Sequence, residues 1–186
     1  MVDAAYWVEK VIFRILLKLL PVEFVNRLFW FMPGRLVIDI LRWYGADIGE
    51  NVKIMPPILF HNFQDKSDKP FENLHVGANS FIGRDCFLDL MGKVILEDNV
   101  TLAMGITLVT HMNVGNSSIK GQFPTYVKDI IVRNASYIGA RVTVIAPVEI
   151  GSGALIGAGS LVIHDAPSHT LSAGVPAVVI RSLDEV

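Results

Sequence analysis

Cysteine is almost absent from this chain: Cys86 is the only one, so no intrachain disulfide can form, which is compatible with a reducing compartment such as the cytoplasm. An uninterrupted apolar run of the roughly 18 residues that mark a membrane span is also missing. Arg14, Lys18, Glu23 and Arg27 break every candidate stretch. The opening residues, Met1 to Tyr6, carry no basic segment, and no small-residue cleavage site follows the apolar stretch, so a secretory leader is not expected. Charge of one sign is lacking as well. The net charge is −2, which gives nucleic acid no electrostatic foothold.

Apolar residues are abundant. Of 186 residues, 52% are hydrophobic and the mean hydropathy is +0.46, with much of the excess in residues 1–45. The length fits one domain with a small appendage. Residues 1–45 read as amphipathic helices. Lys10, Arg14 and Lys18 recur at helical spacing and share one face of a helix over Tyr6 to Leu20. Two shorter helices are predicted at about Val22 to Met32 and Arg35 to Tyr44, divided by Pro33-Gly34. Packing on the main domain or a partner subunit is the plain reading of these helices. A basic surface resting on the inner face of a membrane is the sharper one.

After Gly45 the period becomes six. Aliphatic residues fall at Ile48 and Ile54, at Val76, Ile82 and Leu88, at Leu96, Leu102 and Leu108, and in the series Val132, Ile138, Val144, Ile150, Ile156 and Val162. Glycine or alanine often follows. A six-residue period fits a parallel β-helix solenoid, in which each hexad forms one side of a triangular coil and the aliphatic points inward. Interruptions are where loops are grafted onto such a coil. They fall at 60–73, at Met91-Gly92, and at 111–128, which opens on Thr110-His111-Met112-Asn113. Stacking of the hexads beginning at 88 and 108 puts Asp89 one coil below Val109, and Asp85 below Gly105, both plausible neighbours of His111.

Ile138-Gly139-Ala140-Arg141-Val142-Thr143, Ile150-Gly151-Ser152-Gly153-Ala154-Leu155 and Ile156-Gly157-Ala158-Gly159-Ser160-Leu161 resemble the repeats of the hexapeptide-repeat acyltransferase family. The resemblance covers residues 46–181, with 182–186 left as a tail. It implies an all-β solenoid, a left-handed parallel β-helix with a short N-terminal α-helical segment, an exception to the usual right-handed crossover. It also implies a homotrimer with active sites between chains, acetyl-CoA as acyl donor, and no metal. Within the family, Thr107-Leu108-Val109-Thr110-His111 is similar to the galactoside- and maltose-type sugar O-acetyltransferases, where a catalytic histidine stands at this place. A sugar or polysaccharide hydroxyl is then the expected acceptor.

The chemistry asks for little. A base must take the hydroxyl proton, an acceptor must hold its tautomer, and a donor must meet the oxyanion. His111 is the expected base. The resemblance places Asp85 and Asp89 against the acceptor or the histidine. It departs from the pattern after His111, where many relatives have a second histidine or an aspartate. Here Asn113 is taken as the acceptor contact. Residues matching Ala140, Gly157, Ala158, Ile163 and His164 line the coenzyme site in the family, and Arg181 matches an arginine that pairs with coenzyme phosphates. Ser172-Ala173-Gly174-Val175-Pro176-Ala177 matches the family's terminal motif and also ends the solenoid.

Two alternatives use the same architecture. A γ-class carbonic anhydrase-like protein would hold zinc with three histidines. Of the five, His61, His75, His111, His164 and His169, only His164 and His169 have a suitable spacing, and they lie in the last coil. A non-catalytic solenoid scaffold would have no use for His111 at the mouth of the longest loop.

Overall fold

The computed structural model describes residues 11, 21–63 and 68–183. The helix expected over Tyr6 to Leu20 lies outside them, Val11 excepted. Helix α1 (Val22–Leu28) and helix α2 (Gly34–Trp43) follow, divided at Pro33 as the sequence predicts. Glu23 in the first turn of α1 and Arg27 in its last suit the helix dipole. Helix α2 buries Leu36, Val37, Ile40 and Leu41 at helical spacing and lies across the base of the solenoid. It sits so close that a Cβ at Gly34 would collide with the Ile54 carbonyl oxygen. The Arg42 guanidinium donates to the carbonyls of Ile48 at 2.9 Å and Gly49 at 2.6 Å, capping groups that an open coil end would leave to solvent. The described helices therefore pack on the main domain. Phe24, Trp30 and Phe31 remain 48%, 55% and 86% exposed.

The solenoid is a left-handed, three-sided stack. Its first side holds strands Asp47–Ile48, Leu74–Val76, Val94–Leu96, Ile130–Val132 and Val148–Ile150. The second runs from Lys53–Ile54 through Phe81–Ile82, Thr101–Leu102, Tyr137–Ile138 and Leu155–Ile156 to Thr170–Gly174, which pairs antiparallel with Ala177–Ser182. The third holds Ile58–His61, Cys86–Asp89, Thr107–Val109, Thr143–Ile145 and Leu161–Val162. Register turns the six-residue series into vertical ladders. Ile54, Ile82, Leu102, Ile138 and Ile156 form one. Phe60, Leu88, Leu108, Val144 and Val162 form another. All are buried, and their stacking supplies the apolar burial that holds the coils together.

Phe60 departs from the sequence reading, which placed it in the 60–73 excursion. It completes the first coil, 1% exposed, with its ring 5.9 Å from Phe29 and 5.4 Å from Phe71. An aromatic fits this aliphatic position because α1 and the chain near Phe71 close over it. The excursion therefore begins after His61. Asn26 of α1 clasps the same edge strand: its Nδ2 donates to the Phe60 carbonyl at 2.6 Å and its Oδ1 accepts from the Phe60 N–H at 3.2 Å.

At the other end, Ser172 stands above Ile156 where a lower coil would carry an aliphatic. It is 3% exposed, and its hydroxyl has no partner among the described residues. Removing an unsatisfied buried hydroxyl is favourable. Ser172→Ala is expected to stabilise the fold by about 1 kcal/mol, read as a higher urea midpoint at unchanged slope; a lower midpoint would show that the hydroxyl is bonded in solution.

Candidate active site

The third side ends at a corner where the residues that follow Leu88, Leu108 and Val144 leave successive coils. The strand Cys86–Asp89 runs one residue further than the hexad needs, and Met91-Gly92 form the extra step seen in the sequence. That step seats the 111–128 excursion. Gly92 N–H donates to Thr110 Oγ1 at 3.0 Å, and a Cβ there would meet the Lys128 carbonyl oxygen at 2.5 Å. Lys128 N–H in turn donates to the Thr110 carbonyl at 2.8 Å, closing the root of the excursion. Beyond the root, His111–Met112 pairs antiparallel with Tyr126–Val127, and a 3-10 turn at Ser118–Gly121 follows. The sequence shows an interruption of the repeat here; the structure makes it an arm with His111 at its base.

His111 and Asp89 come together. His111 Nδ1 lies 2.6 Å from Asp89 Oδ2, with the imidazole 23% and the carboxylate 1% exposed. A buried carboxylate at that distance requires the hydrogen on Nδ1. In the neutral ring Nε2 then carries the lone pair. Asp89 Oδ2 also accepts from Thr110 N–H at 2.8 Å and Thr110 Oγ1–H at 2.9 Å. Oδ1 accepts from Asn62 Nδ2 at 2.9 Å and Met91 N–H at 3.3 Å. Burial by itself would raise the Asp89 carboxyl. The hydrogen bonds from His111, Asn62 and Thr110 outweigh it and hold the group below the ordinary carboxylate value.

Asn62 was not read from the sequence. It follows the strand Ile58–His61 in a left-handed conformation, φ 52°, which asparagine tolerates better than most residues. That turn brings its amide onto Asp89 and within 3.4 Å of His111 Nδ1. The only available signal was its place at the exit of a coil one level below Asp89, and a lone asparagine in a loop carries no chemistry by itself.

The two other expected acceptor contacts lie elsewhere. Asp85 sits at the preceding corner with φ 61°, exposed, and no hydrogen bond or ion pair joins it to His111 among the described residues. Asn113 braces the arm: its Oδ1 accepts from Gly115 N–H at 2.8 Å and Thr125 Oγ1–H at 3.3 Å. Asp89, expected against either acceptor or histidine, lies against the histidine.

The expected coenzyme residues divide between two corners. Ala140 and Ala158 stack at the corner before the third side, joined by Gly159 N–H donating to the Ala140 carbonyl at 2.8 Å, with Gly157 beside them. Ile163 and His164, both exposed, stand at the corner after it, on the same edge as His111 and two coils away, or about 10 Å at strand spacing. Arg181 lies on the outer strand Ala177–Ser182 and donates to the Ser182 carbonyl at 3.0 Å.

Burial pushes the Cys86 thiol up to about 11, which keeps it protonated and a poor nucleophile near neutrality. Among the described residues, no group of three or more His, Cys, Asp or Glu side chains converges.

Comparison with known proteins agrees with this architecture. The family described as hexapeptide repeat of succinyl-transferase matches residues 74–109 and 134–163. The galactoside O-acetyltransferase of Escherichia coli K12 is 30% identical over 140 residues, which are 75% of this chain and 65% of that protein. This chain thus spans just under two thirds of that relative's length. A maltose O-acetyltransferase from Clostridium difficile 630 superposes with a TM-score of 0.74 at 26% identity, covering 88% of this chain and 84% of the other. A galactoside acetyltransferase in complex with coenzyme A gives 0.74 at 26% identity, covering 87% and 78%.

Proposed function

Because the chain belongs to the hexapeptide-repeat acyltransferases, we propose that it transfers an acetyl group from acetyl-CoA to a sugar or glycan hydroxyl, with His111 as general base. The single observation that supports this reading is the 2.6 Å Asp89–His111 contact, which orients a partly exposed ring so that Nε2 is the acceptor of its neutral form. As the acceptor oxygen attacks the thioester carbonyl carbon, Nε2 takes its proton. The tetrahedral intermediate then collapses, the C–S bond breaks, and the imidazolium returns the proton to the departing thiolate. Asp89 keeps the ring in the right tautomer and stabilises the imidazolium. No covalent enzyme intermediate is required, in keeping with a protonated Cys86.

The acceptor class rests on the galactoside and maltose relatives. For the donor, the exposed edge from His164 and Ile163 toward His111 suits the extended pantetheine arm, and Ala140, Gly157 and Ala158 leave the opposite corner open. Arg181 is assigned to the coenzyme phosphates. A homotrimer follows the same reading, and the exposed Val178, Val179 and Ile180 on the outer strand support association of copies. No described helix is long and apolar enough to cross a membrane. Exposed Phe24, Trp30 and Phe31 support peripheral contact of the N-terminal helices with the cytoplasmic membrane surface, which liposome flotation of the intact chain tests.

The function is tested by thiol release from acetyl-CoA against a panel of mono- and oligosaccharides, with the acetylated product identified by mass spectrometry. Sugar-dependent release that is lost in His111→Ala is the expected result. Release that ignores the acceptor, or survives the substitution, would overturn the reading.

A further inference from the structure

The Asp89 carboxylate meets two side chains abreast. His111 Nδ1 holds Oδ2 at 2.6 Å, Asn62 Nδ2 holds Oδ1 at 2.9 Å, and the two nitrogens lie 3.4 Å apart. Both are donors, because a lone pair on either would face a buried carboxylate oxygen. The 3.4 Å approach is therefore a contact between neighbours on one anion, not a bond between them. The two oxygens are held unequally. Thr110 donates to Oδ2 twice more, from N–H at 2.8 Å and Oγ1–H at 2.9 Å. Oδ1 has one other donor, Met91 N–H at a long 3.3 Å. Among the described residues, Asn62 is thus the only side chain that fixes Oδ1, and with it the rotation of the carboxylate about its Cβ–Cγ bond. Asn62 is itself anchored on both sides. Before it, the His61 carbonyl accepts from Leu90 N–H at 2.7 Å. After it, the Phe63 ring lies 5.2 Å from that of Phe71. Between these anchors the left-handed turn, φ 52°, aims a short side chain that has one reach.

We propose that Asn62 is a positioning residue for acetyl transfer, holding the Asp89 carboxylate in the one rotation that aims Nε2 of His111. This rests on His111 acting as the base. Stability does not explain the amide. It is partly exposed, and without it Asp89 keeps the donors of Thr110, Met91 and His111, so no buried charge is left unpaired. What is lost is direction. A carboxylate released at Oδ1 can swing about its Thr110 bonds, and the bond to Nδ1–H then bends or lengthens. The ring gains access to its other tautomer, in which Nε2 carries the hydrogen and cannot receive one. Misalignment of this kind costs rate rather than substrate affinity.

Asn62→Gly tests this, because glycine keeps the left-handed turn and removes only the amide. Nuclear magnetic resonance of ¹⁵N-histidine-labelled protein, with His111→Ala identifying the signal, should show the neutral parent ring with its hydrogen on Nδ1 and the variant with the Nε2–H tautomer mixed in. With the sugar that the parent turns over fastest, kcat should fall about 10–100-fold, the range for outer partners that orient a working histidine. Both KM values should stay within about twofold, and the melting temperature should not move. In the His111→Ala background the same substitution should cost nothing further, because the amide works only through the ring. A parent-like tautomer with full turnover in Asn62→Gly would overturn the assignment. So would a loss carried by the sugar's KM, which would make Asn62 an acceptor contact, or an equal loss in the absence of the imidazole, which would make it structural. The resonance needs no acceptor. If no sugar is acetylated, a tautomer shift in Asn62→Gly retains the positioning role while the sugar reading falls, and no shift removes both.

Discussion

His111→Ala should lower kcat for acetyl transfer by about 10²–10⁴-fold, the range that a positioned base contributes, while the KM for acetyl-CoA stays within about twofold. The split follows from geometry. The ring's Nε2 is the group left to receive a proton, whereas Ile163 and His164, assigned to the coenzyme, lie about 10 Å away along the same edge, and Ala140, Gly157 and Ala158 stand at another corner. The loss is chemical rather than structural. Without the imidazole, Asp89 still accepts hydrogen bonds from Thr110 N–H, Thr110 Oγ1–H, Asn62 Nδ2 and Met91 N–H, so no buried charge is left unpaired. The imidazole itself is partly exposed and its removal opens no core cavity. Steady-state kinetics in both substrates, with thermal melting as a control, decides the matter. A variant that retains a tenth of the turnover, or that melts far below the parent, would put the base elsewhere.

Much of this site was legible before any coordinates, for a physical reason. A solenoid repeats its hydrogen bonding every coil, so the six-residue series Val132 to Val162 dictates register, and register dictates that Leu88 lies against Leu108. Asp89 and the start of the excursion are then brought together by arithmetic alone. What arithmetic could not give is direction. Asp89 and Asp85 were equal neighbours of His111 on paper. The step at Met91-Gly92 turns one carboxylate inward onto Thr110, and a left-handed corner leaves the other in solvent. Phe60 was hidden because an aromatic replaces the aliphatic of its hexad, and its place depends on Phe29 and Phe71, far away in sequence. Asn62 was hidden because its role depends on a backbone turn. Asn113, expected as an acceptor contact, was not legible in its second role: its oxygen accepts from the loop's own Gly115 and Thr125, which braces the arm.

Asp89→Asn should be nearly as damaging to turnover as loss of the imidazole, about 10²–10⁴-fold, and unlike it should cost stability. All five donors around the carboxylate, three at Oδ2 and two at Oδ1, point at oxygen. An isosteric amide must aim its NH₂ at one set or the other. If it faces His111, the ring turns its tautomer and Nε2 becomes a donor, useless as a base. If it faces Asn62 and Met91, a buried donor–donor clash remains. Either way the loss should be about 2–4 kcal/mol of folding free energy. The pH dependence has a definite sign. The carboxyl is held below its ordinary value in the folded chain, so its contribution is complete above the unfolded value of about 3.9. It declines as pH falls through the lower folded value. Urea midpoints of parent and variant should therefore differ at pH 7 and converge under acid, and a constant difference down to the lowest pH would show that the carboxylate is not what the variant lost. Kinetically the two positions act as one device. The double variant Asp89→Asn/His111→Ala should turn over no more slowly than His111→Ala, because an aspartate that works only by orienting and charging the imidazole has nothing left to act on once the ring is gone.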